Sequence, residues 1–303
     1  MSPTPSESLT PSSSRTGFVG IIGKPNVGKS AILNAVLNRK VSIVSPRPQT
    51  TRYRIVGILT RPEGRLIFVD TPGWHQPKHM IGKHMVATTK GVIQEVDVLL
   101  MVIDATTGLT REDEWLFEEV RRAKRTAVLA INKVDAVDKR RILPLIDACV
   151  HADLFAAYVP ISALTGENLG ALLDELMRRI PSGPRWYEAD QLTEQPVEQM
   201  MAELIREQAL LATRQEVPQA VAVRLEEVTK KERLTFIRAT MLVEREGQKA
   251  ILIGHKGRTL KRIGQAARLE LERLLGVKVF LELWVKVAEG WRSNPTILRE
   301  LGF

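Results

Sequence analysis

Residues 23–30 read Gly23-Lys24-Pro25-Asn26-Val27-Gly28-Lys29-Ser30, which matches the pattern G-x-x-x-x-G-K-[S/T]. An apolar run over 18–22 precedes this segment and a helical pattern over 30–38 follows it, so the segment is predicted to join a strand to a helix. In such a loop the backbone N–H groups surround a phosphate, and the positive end of the helix dipole points at it. The ammonium of Lys29 can bridge two phosphate groups, and the hydroxyl of Ser30 can bind Mg²⁺.

Outward from this loop, short apolar runs alternate with amphipathic helical patterns between residues 17 and 180. Strands are predicted at 18–22, 54–59, 66–69, 98–103, 127–131 and 157–160, and helices at 30–38, 81–95, 112–123, 139–151 and 169–180. This alternation predicts an α/β domain, with a mostly parallel sheet and helices on both faces.

Two polar segments follow predicted strands, at the sheet edge where ligands bind in such folds. Asp70-Thr71-Pro72-Gly73 places a carboxylate that can reach Mg²⁺ through water, and the N–H of Gly73 can face a γ-phosphate. Asn132-Lys133-Val134-Asp135 follows the strand at 127–131, and the carboxylate of Asp135 can accept from both N1–H and the N2 amine of guanine. Adenine lacks this pair of donors, so the segment favours guanine.

Ser162-Ala163-Leu164 follows the next strand, where a backbone N–H can meet guanine O6. Taken in order, these segments look like the signature set of GTPases. We predict nucleotide binding by the following residues: Gly23, Lys24, Pro25, Asn26, Val27, Gly28, Lys29, Ser30, Ala31, Asp70, Thr71, Pro72, Gly73, Trp74, Asn132, Lys133, Val134, Asp135, Ser162, Ala163 and Leu164.

Residues 45–52 form a polar loop with two prolines, of a kind that becomes ordered when a γ-phosphate and Mg²⁺ are present. We expect the hydroxyl of Thr51 to complete the Mg²⁺ ligands with Ser30 and Asp70, and Thr50 is the alternative. Catalytic roles are assigned to Lys29, Thr51 and Gly73.

Trp74 occupies the position where many small GTPases carry the glutamine that orients the attacking water. An indole donates one hydrogen bond and accepts none, so intrinsic hydrolysis is expected to be slow, on the order of 10⁻⁴–10⁻² s⁻¹. Two substitutes remain open: an arginine in cis (Arg47, Arg52 or Arg54), or a monovalent cation held beside the phosphates by Asn26. GTPases similar to this one include potassium-stimulated members, so Asn26 is a candidate K⁺ ligand.

A Pro-rich and polar stretch, residues 181–196, is predicted to link the first domain to a second one over 197–303. The second part shows the order helix, strand (219–228), strand (234–245), short helix, Gly254-His255-Lys256-Gly257, helix and strand, and residues 291–303 are predicted to form a tail. Its turn carries focused positive charge, because residues 247–269 contain six Lys or Arg and no acidic residue. The pattern looks like an α+β KH domain of type II, whose GxxG loop clamps single-stranded nucleic acid. The predicted RNA-binding residues are Ile253, Gly254, His255, Lys256, Gly257, Arg258, Lys261 and Arg262.

The composition agrees with a globular protein that meets a polyanion. The 303 residues carry a net charge of +9, and the one cysteine excludes an internal disulfide framework. Residues 1–16 contain mainly Ser, Thr and Pro, and they are predicted to be a disordered tail rather than a signal peptide. No apolar run approaches the ~20 residues that span a bilayer, and we predict a cytoplasmic protein.

A GTPase domain followed by a KH domain, with this linker and the ending Leu281-Glu282-Leu283-Trp284-Val285-Lys286-Val287, resembles the bacterial Era GTPases over about residues 17–303. The resemblance implies GTP and GDP as ligands with Mg²⁺ as cofactor. It further implies binding of small-subunit ribosomal RNA near its 3′ end, assembly of the 30S particle, and loose peripheral association with the inner membrane. No DNA partner is expected, and the protein is expected to be a monomer.

Two other functions remain open at this stage. In one, GTP hydrolysis drives RNA modification, which needs a second catalytic centre that the C-terminal part does not offer. In the other, the basic C-terminal part docks a regulatory switch on anionic lipid, which needs an apolar anchor that is not evident in the sequence.

Overall fold

The computed structural model of the chain describes residues 15–74, 79–184, 186–188, 190–213 and 217–303. Its N-terminal sheet has six strands in the order β2-β3-β1-β4-β5-β6. These strands are β1 (Arg15–Ile22), β2 (Ile55–Arg61), β3 (Gly64–Asp70), β4 (Val98–Asp104), β5 (Thr126–Asn132) and β6 (Ala157–Pro160).

The strands of this sheet are parallel except β2, which runs antiparallel to β3. Only Pro62 and Glu63 separate these two strands, and a parallel connection needs a crossover of a dozen or more residues. The two-residue turn therefore forces a hairpin at this edge of the sheet.

Helices cover both faces of the sheet, and the side chains of β4 alternate between them. Val98, Leu100 and Val102 point into the core under α1 (Lys29–Leu37) and α5 (Leu169–Arg179), whereas Leu99, Met101 and Ile103 point to the opposite face. On that opposite face lie α2 (Met80–Glu95), α3 (Arg111–Ala123) and α4 (Ile142–Val150). A strand that is buried on both faces reads as the continuous apolar run seen in the sequence.

The first domain differs from the predicted boundaries at its N-terminal tail and at the helix predicted over 139–151. Strand β1 begins at Arg15, so the last two residues of the predicted 1–16 tail pair with β3; residues 1–14 lie outside the described residues. The guanidinium of Arg15 donates to the carbonyls of Arg178, at 2.6 Å, and Ile180, at 3.2 Å, which the end of α5 leaves without helical partners. The predicted helix 139–151 begins with a 3₁₀ turn, Lys139–Arg141, before α4.

The segment predicted as a linker is attached to the outer edge of β2. The N–H of Ile58 donates to Leu192 O at 2.9 Å, and the hydroxyl of Thr193 donates to Val56 O at 2.6 Å. Because these bonds satisfy backbone groups at the edge of β2, the segment packs as part of the first domain and is not a free connection between the two domains.

The C-terminal domain contains a three-stranded sheet in the order β7-β8-β9, with β8 antiparallel to β7 and parallel to β9. Its elements are α6 (Val197–Ala212), α7 (Val217–Ala220), β7 (Ala222–Lys230), β8 (Leu234–Val243), α8 (Glu246–Ile253), α9 (Arg258–Leu275), β9 (Lys278–Val287) and α10 (Pro295–Glu300).

Two details of this domain were not predicted. A helical turn, α7, occupies the start of the strand expected at 219–228. The segment 291–303 is not a free tail, since Trp291 is fully buried in a cluster with Ile81 and Met85 of α2 and with Leu298. The two domains therefore share an apolar contact.

Candidate functional site

A cavity of about 670 Å³ opens at the carboxyl edge of the N-terminal sheet and brings separate sequence segments together. Its wall contains residues of the 23–31 loop, of the segment 43–51, and of the loops after β3, β5 and β6. The lining residues are Pro25, Asn26, Gly28, Lys29, Ser30, Ala31, Ile43, Val44, Ser45, Pro46, Gln49, Thr50, Thr51, Gly73, Asn132, Lys133, Asp135, Ala136, Ala163 and Leu164.

The loop before α1 is held in a curled form by its own lysine. The buried Lys29 ammonium donates to Gly23 O and Lys24 O, at 3.0 Å each. Gly28 adopts φ +101°, and a Cβ there would lie 2.2 Å from Asn132 Nδ2. Burial lowers the pKa of Lys29 to about 8, opposed by the charge of Asp70. The loop is therefore preformed around one partly desolvated cation.

Three oxygen-bearing side chains meet beside this loop. The hydroxyls of Ser30 and Thr51 lie 2.7 Å apart, and Ser30 donates to Asp70 Oδ2 at 2.6 Å. Asp70 Oδ1 is buried and has no hydrogen-bond partner among the described residues. Burial raises the pKa of Asp70 to about 6, with the charge of Lys29 acting in the opposite direction. Hard oxygen donors around an unsatisfied carboxylate oxygen fit Mg²⁺.

The two candidate switch threonines differ in their partners. The Thr50 hydroxyl lies 2.7 Å from Ser45 Oγ and donates to Arg47 O at 2.7 Å, so it braces its own loop. Thr51 instead faces Ser30 and is buried. The geometry thus favours Thr51 over Thr50 as the third oxygen of the cluster.

Asn132 connects the two ends of the cavity. Its amide nitrogen donates to Val27 O at 2.8 Å, and its amide oxygen accepts from Ala163 N at 3.0 Å. Asp135 lies exposed at the rim, where a bound base can reach it. The N–H of Ser162 donates to Glu167 O at 3.1 Å, so two of the three N–H groups predicted to meet guanine O6 serve the protein itself.

Several predicted residues do not turn their side chains to the cavity. The Lys24 ammonium donates to Asp113 Oδ2 at 2.9 Å and to Thr110 Oγ1 at 3.0 Å, at the start of α3. Trp74 packs against the apolar core beside α2, with Lys90 Nζ 5.7 Å from its ring centroid. Neither side chain lines the cavity, so any contact of Lys24 with phosphate is through its backbone.

The arginines considered as catalytic groups in cis are also engaged elsewhere. Arg47 donates to Thr213 O at 2.8 Å, and Arg52 donates to Val221 O at 2.7 Å. Arg54 lies 3.6 Å from Glu95. None of these three arginines lines the cavity wall.

Sequence reasoning missed Ile43, Val44 and Ala136 in the cavity wall. Apolar residues without a motif carry no local signal for a ligand site. Only the folded loop places Ile43 and Val44 there, because the segment is covered by the C-terminal domain.

The turn between α8 and α9 presents the predicted basic cluster to solvent. Lys256 and Gly257 have φ of +50° and +74°, and Gly254 has φ of +71°. Ile253 is half-buried, while five of the predicted side chains are exposed: His255, Lys256, Arg258, Lys261 and Arg262. The exposed Arg262 donates to Ala212 O at 3.2 Å. The exposed cations can therefore meet a phosphate backbone.

A shallow groove of about 420 Å³ runs from this turn along α9 and beside β9. Its lining adds residues that were not predicted: Leu260, Gly264, Gln265, Arg268, Leu281 and Leu283. The members on α9 recur every three to four residues from Gly257, which places them on one helix face, and this periodicity is the signal that could have found them.

None of the described helices is long and apolar enough to cross a membrane.

Comparisons with known proteins agree with this geometry. The family profile described as "50S ribosome-binding GTPase" matches residues 18–133, and a profile described as "KH domain" matches 216–292. GTPase Era of Heliobacterium modesticaldum is 43% identical over 290 residues, which cover 95% of this chain and 97% of that protein.

Two solved structures match nearly the whole chain. Era in complex with MgGDPNP and nucleotides 1506–1542 of 16S ribosomal RNA superposes with a TM-score of 0.93 at 41% identity. A single-residue variant of Aquifex aeolicus Era bound to GDP·AlF4⁻ superposes with a TM-score of 0.92 at 40% identity. Each match covers 95% of this chain and 99% of the other. They confirm the predicted P-loop GTPase domain followed by a KH domain, and the chain belongs to the Era family of GTPases.

Proposed function

We propose that the cavity binds GTP and GDP with Mg²⁺, and that the chain hydrolyses GTP there. The observation that carries this assignment is the cluster of Ser30, Thr51 and Asp70 oxygens beside the curled loop. The loop 23–31 and Lys29 hold the phosphates, while Gly73 offers its N–H to the terminal one. A Cβ at Gly73 would lie 2.8 Å from Pro25 Cα, so only glycine lets the backbone at this position lie so close to the 23–31 loop.

The base is read at the opposite end of the cavity. Asp135 accepts from N1–H and the N2 amine of guanine, and Asn132 and Lys133 pack the base against the phosphate loop. Because Ser162 and Ala163 use their N–H groups within the protein, we assign the contact with O6 to Leu164 N.

Bound Mg²⁺ neutralises the charge that develops on the transferring phosphoryl group. The described residues offer no glutamine-like group at Trp74 and hold Arg47, Arg52 and Arg54 elsewhere, so intrinsic hydrolysis is expected to be slow. A single-turnover rate well above about 1 s⁻¹ for the purified protein contradicts this expectation.

Asn26 supports a potassium effect on this reaction. It lines the cavity with φ +67°, and its amide nitrogen donates to Pro46 O at 3.2 Å, so the amide oxygen is the atom that would bind K⁺. We expect faster GTP hydrolysis in K⁺ than in Na⁺ at equal ionic strength. Equal rates in the two salts would contradict a K⁺ site at Asn26.

The KH domain is proposed to bind single-stranded ribosomal RNA near the 3′ end of the small-subunit RNA, and the protein to act in assembly of the 30S particle. Support comes from the exposed basic turn at 254–258, the adjoining groove, and the RNA in the complex of the related Era. Small residues let a sugar-phosphate backbone approach, and the bases can lie in the groove. We expect the protein to act as a monomer without a DNA partner.

The test measures RNA affinity by fluorescence anisotropy with a 3′-terminal fragment of 16S ribosomal RNA. The variant Lys256→Glu/Lys261→Glu reverses one exposed charge on the basic turn and one in the adjoining groove, and it is expected to lower affinity at least about 10-fold. The matched control, Lys230→Glu/Lys231→Glu, makes the same charge change at the exposed β7–β8 turn. Equal losses in both variants leave only unspecific charge attraction and contradict the proposal.

We further propose that the protein resides in the cytoplasm and associates only peripherally with the inner membrane. Sedimentation with vesicles of phosphatidylethanolamine and phosphatidylglycerol tests this association, which is expected to be weak and lost in high salt. Vesicle binding that resists high salt contradicts it.

A further inference from the structure

The cavity segment 43–51, here called the switch segment, lies between the nucleotide site and helix α6 of the KH domain. The N–H of Val44 donates to Glu207 Oε1 at 2.9 Å. Arg47 donates to Thr213 O, just past the end of α6, and Arg206 donates to Thr50 O. The KH domain thus holds the switch segment directly, and not through the linker.

Among the residues that make these contacts, Arg206 is the most buried, with 1% of its surface exposed. Its Nε and Nη2 donate to the two carboxylate oxygens of Glu203, at 2.7 and 2.6 Å, so the guanidinium plane is locked. The same Nη2 donates to Thr50 O. A charge-assisted hydrogen bond from a locked, desolvated donor is stronger than one at the surface.

Thr50 O belongs to the peptide plane from which Thr51 extends. Holding that oxygen restricts the orientation of the next residue, and the Thr51 hydroxyl lies 2.7 Å from Ser30 Oγ in the Mg²⁺ cluster. A buried ion pair is weak evidence of a role in stability, because apolar residues of similar volume often serve as well or better. Its contact with the switch segment gives this pair a different role.

We propose that Arg206, on α6 of the KH domain, is a positioning residue for Thr51, so that the triphosphate form of the ligand is held partly by the second domain. The proposal rests on the proposed nucleotide site. A diphosphate lacks the γ-phosphate to which a switch threonine responds, so the effect of Arg206 falls on GTP and not on GDP.

The test compares affinities for a non-hydrolysable GTP analogue and for GDP in the full-length protein with Mg²⁺, measured by calorimetry. Arg206→Ala leaves Glu203 buried without its partner and can unfold the protein. Two gentler variants therefore carry the test. Glu203→Gln/Arg206→Gln removes both charges, and Arg206→Lys keeps the charge without the planar fork.

The double variant is expected to bind the GTP analogue at least about 10-fold more weakly, with GDP affinity within about two-fold of wild type. Arg206→Lys should recover part of the loss. Tyr53→Phe is the matched control, because it removes another interdomain hydrogen bond, to Leu301 O at 2.7 Å, that does not reach Thr50. Its ratio of the two affinities should equal that of wild type.

Unchanged ratios in both Arg206 variants overturn the positioning role, as does an equal loss for both nucleotides. If the wild-type protein binds neither nucleotide, the proposed function itself fails, which is a distinct result. Removing Mg²⁺ provides a further check, because the difference between wild type and the double variant should then disappear.

Discussion

Asp70 shows at the scale of one residue how a ligand site opposes stability. The carboxylate is fully buried, one of its oxygens lacks a described partner, and burial raises its pKa to about 6. Because the folded-state pKa lies above the unfolded value of 3.8, the contribution of Asp70 to stability is fully present below pH 3.8 and is lost as the pH rises through 6. An ionised Asp70 is tolerated because a cation can neutralise it.

Asp70→Asn is therefore expected to stabilise the nucleotide-free protein at pH 7.5, by at most about 3 kcal/mol in the free energy of unfolding. The gain should shrink at pH 5, where wild-type Asp70 is mostly protonated. Urea unfolding at the two pH values measures both effects. If the gain in the free energy of unfolding is independent of pH, or if the variant is less stable than wild type at pH 7.5, the raised pKa of Asp70 is contradicted.

Asp135 carries the choice of base. Asp135→Asn replaces two acceptor oxygens by an oxygen and an amide donor, so GTP affinity should fall at least about 100-fold. Affinity for xanthosine triphosphate should rise, because the new amide can donate to the O2 atom of xanthine. Calorimetry with both nucleotides measures the two changes in affinity. Undiminished GTP affinity would show that Asp135 does not bind the base.

At the scale of elements, helix ends and turns decide where chemistry is presented. Helix α1 starts at a glycine with positive φ, and its first turn supplies Lys29 and Ser30. The turn before α9 uses Gly254, Lys256 and Gly257 in the same way, with all three at positive φ. In both places the start of a helix faces the expected phosphate, where its dipole favours an anion.

The two glycines of the basic turn are expected to differ. A Cβ at Gly254 would lie 2.2 Å from Thr259 Oγ1, whereas a Cβ at Gly257 meets nothing within 4 Å. Gly254→Ala should lower the free energy of unfolding by about 2 kcal/mol or more, and Gly257→Ala by about 1 kcal/mol. Chemical denaturation compares the two, and equal costs would show that φ alone matters.

This difference also affects the choice of RNA-binding variants. A larger side chain at Gly254 disturbs the start of α9, so loss of RNA binding there does not separate contact from folding. Changing the exposed side chains of Lys256 and Lys261 avoids this problem.

At the scale of the whole molecule, the nucleotide site and the RNA turn are joined through two packed helices. Helix α6 holds the switch segment, and Arg262 of α9 donates to Ala212 O at the end of α6. Helix α9 begins directly after the basic turn. A change in the switch segment can therefore reach the RNA site through α6.

Thermodynamic linkage makes this coupling testable. If a GTP analogue tightens binding of the RNA fragment relative to GDP, the RNA must raise the preference for the analogue over GDP by the same factor, expected at about 5- to 150-fold. Anisotropy with RNA and calorimetry with nucleotide measure the two directions. Equal RNA affinity in the GDP and GTP-analogue states removes the coupling.

Much of the fold and of the candidate site could be predicted from the sequence, because the signals are local. Residues that end neighbouring strands must meet at one edge of a sheet, so the positions of Lys29, Asp70 and Asn132 followed from motif and strand order. The basic turn could also be predicted from the sequence, because its glycines and cationic residues are adjacent in the chain.

Only the tertiary structure decided which of the predicted side chains contact one another at the site and which pack elsewhere in the protein. That Thr51 rather than Thr50 faces Ser30, that Trp74 packs on α2, and that Trp291 is buried between the domains depend on contacts far apart in sequence. Arg206 is 156 residues from the carbonyl it holds. No periodicity or motif records such a distance, because packing between domains depends on shapes that exist only after both have folded.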